Sequence, residues 1–389
     1  MPAMSRLASR NQTVLPFRVV ELFKEAVGLQ AAGRDIISLG IGEPDFTAPP
    51  QVLEAAERAG RAGLSGYSPP TGLTALREAI AQFYGDHFGA PVDPSRVIVT
   101  SGASGALLLA AMALVDPGDE ILMPDPCYPA NRNFIASAGG VAKLVPSTAA
   151  ARYQLSAEDV RSHWGPATRG VLVASPSNPT GTSVAPSEMA ALLAEVRDRQ
   201  GLALVDEIYL GLSYEHAPRS ALTLDDGIVV VNSFSKYFHM TGWRLGWLIV
   251  PPHMVSAIER IASSLAICAP TLAQHAALAC FQPDTLAIYA ERRDAFRARR
   301  DYLLPEFERL GLRVPVRPDG AFYIYSDISD LGMNSTQLSH RLLHEANVAA
   351  VPGHDFGPAH ADHTMRFSYA ASLERLQEAV ARMEKLLKG

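Results

Sequence analysis

Seven short apolar runs, each about five residues long, fill the middle of the chain and limit what it can fold into. They are Arg96–Thr100, Glu120–Pro124, Val141–Pro146, Gly170–Ala174, Leu202–Asp206, Ile228–Asn232 and Leu245–Val250. Most are rich in β-branched side chains and lack the polar alternation of a half-wetted strand. They read as strands buried on both faces of a mostly parallel sheet. Helical patterns lie between them, clearest at Gly105–Leu114 and Pro186–Gln200. The second opens on Pro186-Ser187-Glu188, a suitable helix start. This alternation predicts an α/β fold, an open sheet with helices on both faces. Near Leu286 the pattern changes to an Arg-rich helical stretch over Leu286–Leu304, followed by shorter mixed segments. The expected division is a large domain over 47–285 and a smaller α+β domain from 1–46 and 286–389.

Composition narrows the function classes. Of 389 residues, 48% are hydrophobic and 19% charged, which excludes disorder as the main state. Lys+Arg is 34 against 40 Asp+Glu, a net charge of −6, so the broad basic footprint of a nucleic-acid binder is absent. The three cysteines, Cys127, Cys268 and Cys280, are far apart and have no metal-type spacing, as for reduced thiols in the cytosol. The longest apolar stretch, Ala106–Val115, is about half a bilayer helix, and no apolar segment follows the arginines of Met1–Asn11. The expectation is a cytoplasmic enzyme with no membrane or nucleic-acid partner.

In open α/β sheets ligands bind beyond the carboxyl ends of the strands. The chain has five lysines. Lys24, Lys143, Lys385 and Lys388 read as solvated surface charge. Lys236 follows an apolar run in Val231-Asn232-Ser233-Phe234-Ser235-Lys236. A partly desolvated amine there has a lowered pKa and suits Schiff-base chemistry, although alone it could equally cap a strand end. Asp206 ends another run, with Tyr209 three residues on. Asp206 alone could be a helix cap or a metal ligand. Ser175-Pro176-Ser177-Asn178-Pro179-Thr180-Gly181 presents Asn178 from a rigid loop, or is only a tight turn. Thr100-Ser101-Gly102-Ala103-Ser104-Gly105 leads from a strand into a helix, where small residues expose backbone N–H groups to a phosphate. It matches neither nucleotide fingerprint. Arg244 comes eight residues after Lys236. Together these groups meet the needs of pyridoxal phosphate.

At these residues the chain resembles the class I/II aminotransferases, pyridoxal-phosphate enzymes of fold type I. The likeness runs from Ser38-Leu39-Gly40-Ile41-Gly42-Glu43-Pro44-Asp45-Phe46 to Met365-Arg366-Phe367-Ser368. The ordered matches at Asn178-Pro179-Thr180-Gly181, Asp206-Glu207-Ile208-Tyr209 and Ser233-Phe234-Ser235-Lys236 are jointly specific. The resemblance implies that Lys236 carries the cofactor as a Schiff base and moves the proton, and that Asp206 pairs with the pyridine nitrogen. It implies Tyr209 and Asn178 on the ring oxygen and Tyr128 stacked on the ring. The phosphate cradle would be Gly102, Ala103, Ser104, Ser233, Ser235 and Arg244. Tyr67 would reach the phosphate of the neighbouring subunit in a homodimer with shared sites. Arg366, helped by the backbone near Gly40, would grip the substrate carboxylate. The Asn178-Pro179 bond is often cis in such proteins. The implied reaction is ping-pong transfer of an α-amino group between an amino acid and a 2-oxo acid.

Some residues depart from, or lie outside, that pattern. One bacterial subgroup that prefers dicarboxylic donors has a lysine near the position of Ser104, and its absence here favours neutral or broad donors over aspartate. A Cβ–S lyase would carry the same catalytic set, and release of pyruvate and ammonia without an acceptor would mark it. A non-catalytic sensor would need a DNA-binding extension. His354, His360 and His363 read as a turn-rich loop, with no metal site. Cys127 reads as a buried filler. The arginines from Arg292-Arg293 to Arg299-Arg300 read as a solvated helix face balanced by Glu291, Asp294 and Asp301.

Overall fold

The computed structural model describes residues 6–389. Met1–Ser5, the start of the arginine-bearing segment Met1–Asn11, lie outside them. In chain order the strands are β1 (Ile37–Ser38), β2 (Val97–Thr100), β3 (Glu120–Asp125), β4 (Val141–Pro146), β5 (Thr168–Ala174), β6 (Leu202–Asp206), β7 (Val229–Ser233), β8 (Gly246–Ile249), β9 (Tyr323–Asp327), β10 (Val348–Ala349), β11 (Val351–Pro352) and β12 (Thr364–Ser368). Strands β2 to β8 form one sheet in the order β2-β8-β7-β6-β5-β3-β4. All its pairs are parallel except those of β8, which runs antiparallel to β2 and β7.

Both faces of the central strands of this sheet are dry. Along β6, Ala203 and Val205 enter one apolar cluster with Val171, Val173 and Val230. Leu202 and Leu204 enter another with Leu172, Val229 and Val231. Opposite faces of one strand thus meet opposite layers of helices, which is why the runs carry no polar alternation. The arrangement is the α/β sheet expected from the sequence.

A third apolar cluster joins the helices Pro283–Arg309, Ser335–Glu345 and Leu373–Lys388 to a small antiparallel sheet, β11-β12-β9. Leu338 and Leu342, one helical turn apart, show how a helix turns one stripe inward. The helix Ser335–Glu345 starts at a reciprocal cap between Asn334 and Gln337. β1 pairs in parallel with β10, which ties the N-terminal segment to this second layer.

Two surface readings are corrected. Arg299 and Arg300 are buried, at 8% and 1% exposure. Arg299 forks onto Asp45 at 2.7 and 2.9 Å and lies over the rings of Phe46 and Phe296. Its partner is 254 residues away, so helical spacing carries no trace of it. Lys143 is half-buried on β4 and meets Glu120 Oε2 at 3.2 Å. Among the described residues no helix is long and apolar enough to cross a membrane.

Candidate active site

A cavity of about 320 Å³ opens at the carboxyl ends of β5, β6 and β7, where the topology gathers their loops. Lys236, Asp206, Asn178, Tyr209, Arg244 and Arg366 all line it, as do Ala103, Ser104, Tyr128 and Ser235. Residues more than 200 positions apart in sequence thus share one space.

Lys236 follows β7 and points its amine at the carbonyl of Gly42, 2.5 Å away. Burial lowers its pKa to about 8; Arg366 and Arg244 add to the drop, while Glu43 and Asp206 oppose it. A neutral amine is therefore accessible near neutral pH. Asp206 ends β6 and is 5% exposed. Burial raises its pKa to about 6, opposed by the Ile208 N–H and by Lys236. That N–H, at 3.0 Å, is the single hydrogen bond to its carboxylate among the described residues. Tyr209 bonds the hydroxyl of Tyr323 at 2.9 Å, and burial first, then Tyr323, push its phenol well above the ordinary range.

Arg366 sits on β12 and is 4% exposed. It donates to Asn178 Oδ1 at 2.9 Å and to the Gly40 carbonyl at 2.5 Å, and it lies over the rings of Tyr323 and Phe356. Its Nε has no partner, and among the described residues no carboxylate bridges it. A buried guanidinium so placed is arranged for an anion from outside the chain. The Gly40 carbonyl accepts from the arginine and braces it.

The helix Gly102–Leu114 begins at the cavity, and Ser101 gives it no side-chain cap. Its first N–H groups stay free for an anion. Gly102 has φ +74°, and a Cβ there would stand 2.6 Å from Arg244 Nη2. At Gly246 a Cβ would stand 2.7 Å from the Ala103 nitrogen. Two missing side chains thus keep open a cradle of backbone N–H groups, the Ser235 hydroxyl and Arg244. A phosphate fits that cradle, a protonated ring nitrogen fits the single-bonded Asp206, and an aldehyde fits the desolvated Lys236. The residues present fit pyridoxal phosphate.

Three expected positions stand back from the cavity. Ser233 is 1% exposed; its Oγ accepts the Ser235 N–H at 3.0 Å and lies 3.0 Å from the Leu245 carbonyl. It shapes the loop rather than facing a ligand. Gly102 contributes backbone alone. Tyr67 is 83% exposed and lies off its own chain's cavity. The Asn178-Pro179 bond is cis. Sequence reasoning missed Tyr323, Val19 and Gly42, which also line the cavity. Tyr323 sits inside a strand of the small sheet and Val19 on the first turn of a helix, where only long-range contact reveals a role.

Comparison with known proteins agrees with this geometry. The family model for aminotransferase class I and II matches residues 34–383. A valine–pyruvate aminotransferase of Mycobacterium tuberculosis is 38% identical, over 95% of this chain and 96% of its own. The crystal structure of an aminotransferase from Mycobacterium tuberculosis superposes with a TM-score of 0.95 at 37% identity, covering 99% of this chain and all of that one, 100%. Aspartate aminotransferase from Thermus thermophilus with maleate gives 0.93 at 36% identity, over 99% of this chain and 100% of that chain.

Proposed function

The chain belongs to the class I and II aminotransferases, and we propose that the cavity around Lys236 is where it moves an α-amino group from a neutral amino acid to a 2-oxo acid. It is an amino-acid aminotransferase that works with pyridoxal phosphate, like the rest of its family. The single observation behind the site assignment is the gathering of Lys236, Asp206 and a carboxylate-free Arg366 in one cavity.

When bound, pyridoxal phosphate supplies a carbon that condenses with the donor's nitrogen and a ring that takes up the electron pair left at Cα. Lys236 tethers it and, as a free amine during turnover, takes the proton from the donor's Cα and returns it on the cofactor side. Asp206, as carboxylate, holds a proton on the ring nitrogen. Asn178 and Tyr209 would serve the ring oxygen as hydrogen-bond partners, and Tyr128 would supply an aromatic wall for the ring. The N–H groups of Ala103 and Ser104, the Ser235 hydroxyl and Arg244 hold the phosphate. Gly102 keeps that space clear, and Ser233 sets Ser235. Arg366, braced by Gly40 and Asn178, forks onto the donor's carboxylate.

The donor is assigned as neutral because Lys236, Arg244 and Arg366 are the cationic side chains lining the cavity, and each already has a role. Val19, Leu107 and Ile208 supply apolar lining. The valine–pyruvate relative supports the same class. Residues 47–285 are assigned as the cofactor-binding domain and 6–46 with 286–389 as the small one. Tyr67, exposed on its own chain, reaches the site of a second copy in a cytoplasmic homodimer. Absorbance of the cofactor-loaded protein, titrated with single amino acids and no acceptor, tests the assignment. Neutral donors should convert the chromophore first, and double-reciprocal plots should be parallel. Prior conversion by aspartate, or intersecting lines, would overturn it.

A further inference from the structure

Behind the cavity, on the other side of β6, lies a second carboxylate with no part in the chemistry above. Glu207 follows Asp206 and is 2% exposed. Its Oε1 accepts the Ala221 N–H at 2.7 Å and the Ser220 hydroxyl at 2.9 Å. Its Oε2 accepts the Tyr84 hydroxyl at 3.2 Å. The Tyr84 oxygen accepts Asn232 Nδ2 at 3.0 Å. Asn232 Oδ1 accepts the Ser233 N–H at 2.7 Å, and Ser233 Oγ accepts the Ser235 N–H at 3.0 Å. The next residue is Lys236.

The backbone N–H groups set the direction of the bonds in this chain. A backbone N–H can only donate, so Ser233 requires the oxygen of Asn232. The Asn232 amide nitrogen must then face Tyr84. Asn232 Nδ2 being a donor, Glu207 Oε2 is the acceptor left for the phenol's proton, and the Ala221 N–H donates to the other carboxylate oxygen. A carboxylate at position 207 accepts at both ends, from Ala221 and Ser220 on one oxygen and from Tyr84 on the other. A proton on Oε2 would be donated to Tyr84, and the phenol's own proton would lose its carboxylate acceptor.

We infer that Glu207 is a positioning residue for Lys236: through Tyr84 and Asn232 it fixes the loop Ser233–Lys236 that presents the amine and the Ser235 hydroxyl to the cofactor. This rests on the pyridoxal-phosphate reading of the cavity. Burial, more than any other cause, raises the pKa of Glu207 to about 7, so the relay can be broken near neutrality. The groups that face it are Tyr84 from the helix Thr74–Phe88, Asp206 on its own strand, and Arg219, which lines the cavity of about 180 Å³ beside it. The remaining neighbours, among them Met189, Thr223 and Leu224, are neutral.

The test compares Glu207→Gln, Tyr84→Phe and the double variant with the wild type, each loaded with pyridoxal phosphate. The readouts are the pH profile of the lysine-bound chromophore, cofactor dissociation, and kcat against donor KM. Each single variant is expected to shift the chromophore's apparent pKa by about half a unit or more. Each should lower kcat about tenfold while donor KM stays within about twofold, because a displaced base is lost mainly from the chemical step. The double variant should lose no more than Glu207→Gln alone, since one cut already breaks the relay. Unchanged pH profiles and kcat in both single variants, or losses that add in the double variant, would overturn the inference. If Glu207→Gln does not fold, Tyr84→Phe decides alone: native melting with a wild-type pH profile refutes the relay. A wild-type protein that forms no lysine-bound chromophore would instead refute the reading on which the relay rests.

Discussion

Asp206 and Glu207 are neighbours in sequence, both buried, and both raised in pKa by that burial. They face opposite sides of the sheet and live differently. Glu207 has three donors and is closed off by them. Asp206 has one and opens on a cavity. The same contrast separates two buried arginines. Arg299 is forked onto Asp45, whereas Arg366 has no carboxylate at all among the described residues. Burial of a charge therefore does not mark the site; at Asp206 and Arg366 the open positions face the cavity, where cofactor and substrate would fill them.

Removing Lys236 breaks the contrast most severely. Lys236→Ala deletes both tether and base, and transamination should fall by about 10⁴-fold or more in single-turnover assays. Turnover within tenfold of wild type would refute its role. Arg366→Met should lower kcat/KM for amino donors about 10³-fold, because a bidentate charge-assisted contact is lost. The fold should tolerate it, with stability of the cofactor-free protein within about 1 kcal/mol, since no buried anion is left behind. Arg299→Met should do the reverse. It strands Asp45 and should cost about 2–4 kcal/mol in denaturant unfolding. Equal stability losses in the two variants would erase the distinction drawn between them.

The smallest effect is a pH dependence. The folded protein without cofactor keeps a proton on Asp206 that the unfolded chain has released, between the ordinary 3.8 and about 6. That stabilisation is present below the unfolded value and is lost as pH rises through the folded one. Relative to Asp206→Asn, the wild type should lose about 2–3 kcal/mol between pH 4 and 7. A flat difference across that range would mean Asp206 is better solvated than its burial indicates.

Much of the fold and of the site is legible in the amino-acid sequence. Leu202–Asp206 and Val141–Pro146 are strands over those same residues, and the other runs end within two residues of the observed strands. Their periodicity is local, and so is the placement of polar residues just past their ends. Lys236, Asp206, Asn178 and Arg244 stand out in that way. Contacts between distant segments leave no such local mark. Nothing near Arg299 announces Asp45, and nothing near Tyr323 announces Tyr209, 114 positions away. The relay behind β6 is hidden for the same reason, because Tyr84 and Asn232 are 148 residues apart. That Gly40 braces Arg366 through its carbonyl is likewise visible only in the geometry.

The central claim, that Lys236 alone among the five lysines is poised to bind the cofactor, has a direct chemical test. The pyridoxal-phosphate-loaded protein would be reduced with borohydride, digested and mapped by mass spectrometry. The account predicts one modified peptide, carrying a reduced pyridoxyl phosphate on Lys236. A label on Lys24, Lys143, Lys385 or Lys388 instead, or none on Lys236, would contradict it.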